Sequence, residues 1–138
     1  MKLSTINFVL IVFFLACGHD NSPKGVAGEF LFRYFIELNQ RGAMEISTGL
    51  AVKKLQTEIE LTQNIRMQPN LDLAQSKPFL DYELVRIQDG KGETVTLFYE
   101  VTIENPGSKD YKREVVLTAA KLNGNWKISN FDTFIKEE

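Results

Sequence analysis

The sequence predicts an α+β fold in which N-terminal helices pack on a four-stranded antiparallel sheet. Two observations support this fold class. Apolar residues recur at helical spacing between residues 23 and 65, and from Phe79 onward the pattern changes to runs rich in β-branched and aromatic residues. The predicted strands are joined by short connections, so neighbouring strands must be antiparallel. We therefore expect the helices to cover the apolar face of this sheet.

The first predicted helix carries a broad apolar face. Ser22 can cap it and Pro23 suits its first position, so we expect a helix from Pro23 to about Gln40 that ends at Gly42. One face carries apolar residues four apart, with others beside them: Val26, Phe30, Tyr34, Leu38, Ala27, Leu31 and Phe35. A narrow polar stripe is spaced for i,i+4 ion pairs: Glu29, Arg33, Glu37 and Arg41. Core packing is the favoured interpretation of the apolar face, and a partner interface is the alternative.

Two further helices and a loop complete the first half. Residues 43–47 predict a short helix, and residues 49–65 predict a longer one capped by Thr48. The longer helix is expected to turn four residues inward: Leu50, Leu55, Ile59 and Thr62. Residues 66–78 contain two prolines and predict a loop.

Four strands are predicted at residues 79–89, 93–104, 111–122 and 125–134. Asn123-Gly124 is a strong signal for a type I′ hairpin turn, and Gly90 and Gly92 mark another hairpin. The second strand alternates, with one apolar face that consists of Val95, Leu97, Tyr99, Val101 and Ile103.

The order of these elements, together with the segment Gly124-Asn125-Trp126-Lys127-Ile128, resembles the NTF2-like α+β fold, and in particular small bacterial lipoproteins that carry such a domain. The resemblance extends over residues 23–134. It implies a curved four-stranded sheet wrapped around the long helix into a cone, whose open end can hold a small ligand. A cystatin-like arrangement of a helix on a curved sheet is the close alternative.

The N-terminus has the layout of a secretory signal. Lys2 precedes an unbroken apolar run, residues 8–16, which is shorter than the roughly 20 residues of a membrane-spanning helix. Phe14-Leu15-Ala16-Cys17 resembles the lipobox of bacterial lipoprotein precursors, with Phe14 at the position where that family prefers leucine. The resemblance implies a cleaved signal peptide over residues 1–16 and a diacylglycerol on the sulfur of Cys17. A plain secretory signal with an incidental Cys17 and an uncleaved membrane helix are the alternatives.

These boundaries define three parts: the signal peptide 1–16, a lipidated tether 17–22, and one domain over residues 23–138. The expected location is the cell envelope, where lipid would anchor the protein to a membrane. For a Gram-negative cell, the resemblance to bacterial lipoproteins implies the outer membrane, facing the periplasm, because Gly18 rather than Asp follows the cysteine. Cleavage after the first 16 of 138 residues leaves 15 Lys and Arg against 18 Asp and Glu. This weakly acidic balance argues against nucleic-acid partners and against electrostatic docking on anionic lipid.

The sequence offers little for catalysis, and we predict no catalytic residue, cofactor or metal. His19 is the only histidine and lies within the tether, two residues from the lipid, while Cys17, the only cysteine, is assigned to lipid. No metal-ligand spacing or phosphate-binding glycine loop is present. The enzyme alternative would use a carboxylate with a raised pKa inside the cone, and its candidates are Asp81, Glu83 and Asp132. Such strand residues more often face solvent.

The function predicted from these observations is non-catalytic binding of a small apolar ligand or of another envelope protein. The candidates for lining a cavity are Tyr82, Tyr99 and Trp126, since aromatic side chains carry a polar group into apolar pockets. Plain core packing is their alternative role. A homodimer formed through the outer sheet face, around Phe98 and Val116, is the third hypothesis.

Overall fold

The structure, a computed structural model, describes residues 20–66, 79–104, 107 and 109–136. It has three α-helices and a π-helical segment in the first half of the chain and an antiparallel sheet in the second: α1 (Pro23–Leu31), the π-helical segment (Phe32–Ile36), α2 (Gln40–Glu45), α3 (Gly49–Arg66), β1 (Phe79–Asp89), β2 (Thr94–Glu104), β3 (Tyr111–Leu122) and β4 (Asn125–Ile135). The strand order β1-β2-β3-β4 is a meander. The α+β prediction is confirmed. The predicted signal peptide, Cys17 and most of the predicted loop 66–78 lie outside the described residues.

The first helix begins as predicted but ends earlier. Ser22 caps it, since its Oγ accepts a hydrogen bond from the Gly25 N–H at 3.0 Å. The helix then widens into the π-helical segment and stops before Leu38, whose φ is +52°. The predicted end at Gly42 is wrong. Gly42 lies inside α2, because the Asn39 side chain accepts from the Gly42 N–H at 2.9 Å and starts a new helix there.

The core lies between the helices and one face of the sheet. α1 contributes the buried residues Val26, Ala27, Phe30 and Leu31, and the sheet contributes Leu97, Tyr99, Val101, Val115, Leu117, Ala119, Ile128 and Phe131. The predicted inner face of β2 is therefore confirmed. On α3, the prediction that Leu50 faces inward is wrong, because Leu50 is 51% exposed. Ala51 and Leu55 are buried there.

The strands agree with the predicted bounds to within one residue at each end. Asn123 and Gly124 have φ values of +50° and +80°, so the β3–β4 turn has the two positive angles of a type I′ turn, as predicted. Register shifts occur between Leu84 and Arg86 and between Thr118 and Ala119. Such bulges bend a strand locally.

The edge of β4 is partly covered by the chain between α2 and α3. Thr48 N–H donates to the Ile128 carbonyl at 2.8 Å, and Ile128 N–H donates to the Ile46 carbonyl at 3.0 Å. These bonds form a short parallel bridge at Ser47. The bridge uses edge groups that could otherwise pair with a second chain, and it holds Ile46 beside β4.

Candidate functional site

A groove of about 310 Å³ lies at the end of the domain where β3 turns into β4. We call it the Trp126 groove. Its apolar lining comes from three elements: Val26 on α1, Ile46 after α2, and Trp126 on β4. Each is placed by a feature described above: the Ser22 cap starts α1, the parallel bridge holds Ile46, and the tight turn brings Trp126 back along β3.

The polar lining of the groove carries three carboxylates, Asp20, Glu29 and Glu45, and one ammonium, Lys127. Arg33 lies next to two of these carboxylates. Its Nε is 2.6 Å from Glu29 Oε1, and its Nη1 is 3.0 Å from Glu45 Oε2. These partners, the Glu29 hydrogen bond first, raise the pKa of Arg33 above its ordinary value. The polar lining is therefore weakly acidic rather than strongly charged.

The chain before α1 is fixed to the β3–β4 turn by one side chain. Asn21 donates from Nδ2 to the Gly124 carbonyl at 2.9 Å, and its Oδ1 accepts from the Trp126 N–H at 3.0 Å. We call this pair of bonds the Asn21 clamp. Asp20 also folds back onto α1, so closely that a Cβ on Gly25 would lie 2.1 Å from the Asp20 carbonyl oxygen. One wall of the groove is thus formed by Asp20 and Asn21, which belong to the predicted tether 17–22.

The three aromatic residues predicted to line a cavity lie in two places. Trp126 lines the groove, whereas Tyr82 and Tyr99 contact each other on the inner sheet face, with ring centroids 6.0 Å apart. Tyr99 pairs with Val115 and Trp126 with Lys121, which lie six residues apart on β3. At about 3.3 Å per residue, this separation is roughly 20 Å.

Tyr82 and Tyr99 differ in exposure. Tyr99 is 4% exposed, and Tyr82 is 40% exposed. Burial, followed by the proximity of Tyr82, raises the pKa of Tyr99 to about 12. Tyr99 therefore behaves as a core residue that stays protonated over the physiological range.

The candidate carboxylates do not converge. Asp81 and Glu83 are exposed on β1. Asp132 is half-exposed, and its Oδ1 accepts from Lys54 Nζ at 2.6 Å while its Oδ2 accepts from Asn130 Nδ2 at 3.1 Å. None of the three lines the Trp126 groove.

A partly buried polar contact that sequence reasoning missed joins Tyr34 to Glu58. The Tyr34 hydroxyl lies 2.9 Å from both carboxylate oxygens of Glu58, which links the π-helical segment to α3. Burial, followed by the negative charge of Glu58, raises the pKa of Tyr34 well above its ordinary value. Tyr34 also sits within an aromatic cluster with Phe30, Phe35 and Phe131. The contact therefore holds the π-helical segment and α3 together next to the core.

The predicted dimer surface on the outer sheet face is partly covered from within the chain. Phe98 and Val116 face each other across β2 and β3, and both are only partly exposed. The guanidinium carbon of Arg86 lies 3.8 Å from the centre of the Phe98 ring. This cation–π contact shields one face of the ring.

Among the residues that the structure describes, no three His, Cys, Asp or Glu side chains are grouped so as to hold a metal ion. No helix in the described ranges has both the length and the apolar character needed to cross a bilayer.

Comparisons with known proteins give no assignment. No protein-family model matches this chain, and no curated protein matches it significantly. The candidate function therefore has to be argued from the groove and its position.

Proposed function

We propose that this chain is a lipid-anchored envelope protein whose NTF2-like domain binds a small ligand in the Trp126 groove, without catalysis. The observation that carries the proposal is the groove itself. Its volume of about 310 Å³ lies at the lower end of the range typical of ligand sites, roughly 300–1,000 Å³. Its lining combines three apolar side chains with six polar or charged residues, so it offers both an apolar surface and groups that can orient a ligand.

The lining also indicates the ligand class. The apolar floor of Val26, Ile46 and Trp126 favours an apolar body. Three carboxylates against one ammonium disfavour an anionic group, even with Arg33 pairing two of them. We therefore expect a neutral or cationic apolar molecule of small size. A side chain of another envelope protein has the same chemistry, and the binding experiment below separates the two.

Lipidation at Cys17 is tested in the intact precursor. We expect Cys17→Ser to give an unprocessed precursor that incorporates no labelled palmitate, because the acylated sulfur is lost. The matched control is Ser4→Ala in the signal region, which should be processed and labelled like the wild type. Normal processing of Cys17→Ser would contradict the anchor.

Ligand binding is tested by fluorescence. Trp126 is the only tryptophan, so all tryptophan emission of this protein comes from a residue that lines the groove. The chain from Gly18 onward, which contains every described residue, is titrated with the neutral apolar dye N-phenyl-1-naphthylamine. We expect saturable quenching of Trp126 emission by energy transfer to the bound dye.

The controls locate the dye. Ile46→Ala removes part of the groove floor and should weaken binding several-fold, whereas Leu50→Ala, at an exposed position on α3, should not. Quenching that does not saturate, or that is equally strong in Ile46→Ala, would exclude small-ligand binding in this groove and favour a protein partner.

A further inference from the structure

We propose that the end of the sheet that carries the two tight turns lies against the membrane surface, with the strands directed away from it. We call this end the turn end; it comprises residues 89–94 and 121–126. The inference rests on the proposed lipid at Cys17 and adds an orientation to it. It commits the turn end to one occupant, the headgroup layer of the membrane that holds the anchor.

The length of the segment from Cys17 to Asn21, which we call the leash, sets the first constraint. Four residue steps separate Cys17 from Asn21. At most about 3.6 Å per residue, the chain between them spans roughly 14 Å. Asn21 must therefore lie within about 14 Å of the lipid-bearing residue.

The Asn21 clamp sets the second constraint. Asn21 is not free to move over the surface of the domain, because it bonds to the backbone of Gly124 and Trp126. The short leash is therefore attached to the β3–β4 turn rather than to the start of α1 alone. The clamp shifts the effective attachment point to the turn end.

The sheet register sets the third constraint. Asp89 pairs with Val95 and Val95 pairs with Ala119, so the β1–β2 turn lies at the same end as the β3–β4 turn. β3 is 12 residues long, which at about 3.3 Å per residue gives roughly 40 Å. The opposite end of the sheet is thus more than twice the leash length away from the attachment point.

The outer sheet face is mixed in charge, because its carboxylates Asp81, Glu83, Glu100 and Glu114 lie beside Arg86 and Lys112. It therefore presents no basic patch on which the domain could lie flat against anionic headgroups. The turn end exposes an apolar side chain, Leu122, at 49%. Leu122 can enter the headgroup layer while the lipid supplies the affinity.

One consequence concerns the Trp126 groove. Asp20 and Asn21 form part of its lining and precede α1 directly. In this orientation the groove opens beside the headgroup layer. Its ligand would reach it from the membrane surface.

The test uses the full lipidated protein in vesicles. Cys17 is the only native cysteine, so an added cysteine is the single free thiol. Three variants, Asn123→Cys, Asp110→Cys and Glu114→Cys, are labelled with the same fluorophore and placed on vesicles of phosphatidylcholine and phosphatidylglycerol that contain a headgroup nitroxide lipid. Asn123 is at the turn end, Asp110 at the opposite end, and Glu114 on the outer face.

We expect several-fold stronger quenching of the label at residue 123 than of the labels at residues 110 and 114. Equal quenching at residues 123 and 110, or stronger quenching at residue 114, would overturn the orientation. Failure of the anchor is distinguishable, because the protein would then not float with the vesicles at all.

The clamp is tested in the same assay. Asn21→Ala should reduce the difference in quenching between the labels at residues 123 and 110. Flotation with the vesicles should stay unchanged, since the lipid is still present. Asn64→Ala, on the exposed side of α3, is the matched control and should preserve the difference. An unchanged difference in Asn21→Ala would contradict the role given to the clamp.

Discussion

Single side chains join parts of this molecule that are far apart in the sequence. Asn21 reaches the β3–β4 turn, the Tyr34 hydroxyl reaches Glu58, and Lys54 reaches Asp132. Their energetic weights differ with exposure. The Lys54–Asp132 pair is partly exposed, so we expect it to contribute about 0–1 kcal/mol. The half-buried Tyr34 hydroxyl bonds to a carboxylate, a type of bond that contributes about 1.5–3 kcal/mol.

The buried Tyr99 predicts a loss of stability in alkali. The pKa of Tyr99 is raised to about 12, against about 10 in an unfolded chain. Between these values the unfolded chain releases a proton that the folded chain keeps. The stabilising effect is complete below about pH 10, and above it the free energy of unfolding falls by up to about 1.4 kcal/mol per pH unit for this residue.

Urea denaturation at a series of pH values measures this effect. Between about pH 10 and pH 12, we expect the free energy of unfolding to fall less in Tyr99→Phe than in the wild type. Below about pH 9 tyrosine titration should not change the free energy of unfolding of either protein, which serves as an internal control. Identical declines in the two proteins would show that Tyr99 is not the residue responsible.

At the scale of secondary structure, the ending of the first helix organises the helical layer. Arg33 lies in the π-helical segment and keeps the predicted i,i+4 ion pair with Glu29. It contacts Glu29 on its own helix and then crosses to α2, where its Nη1 also donates to the Gly42 carbonyl at 2.7 Å. One guanidinium thereby joins two helices and supports one side of the Trp126 groove.

This arrangement predicts a specific stability change. The Arg33 side chain is 17% exposed and contacts two carboxylates and a backbone carbonyl, so we expect Arg33→Ala to lower the free energy of unfolding by about 2–3 kcal/mol. Arg41→Ala, at an exposed position in α2, should change it by less than about 0.5 kcal/mol. Chemical denaturation measures both. Equal effects in the two variants would contradict the bridging role of Arg33.

At the scale of the whole molecule, several features lie at one end of the sheet. The two tight turns, the Asn21 clamp and the Trp126 groove are all placed there. The vesicle experiment proposed above tests whether this end of the domain faces the membrane. If the turn end faces the lipid, ligand entry and anchoring share the same surface.

The sequence by itself determined the fold class, the strand bounds and the β3–β4 turn. These features depend on local causes: β-branched and aromatic residues favour strands, and Asn123-Gly124 tolerates the positive φ angles of a type I′ turn. Ser22 and Pro23 likewise started α1 where expected, because a cap acts within one helical turn.

Only the tertiary structure decided the end of the first helix and the position of the groove. Glycine is common at helix ends, and Gly42 was therefore predicted to end the first helix. The π-helical segment ended that helix earlier, and the Asn39 cap placed Gly42 inside α2. Trp126 was a candidate from sequence, yet its separation from Tyr82 and Tyr99 follows from the strand register. The Asn21 clamp joins residues 103 positions apart. No local pattern encodes such a contact, because it exists only after the sheet has brought its turn next to the start of α1.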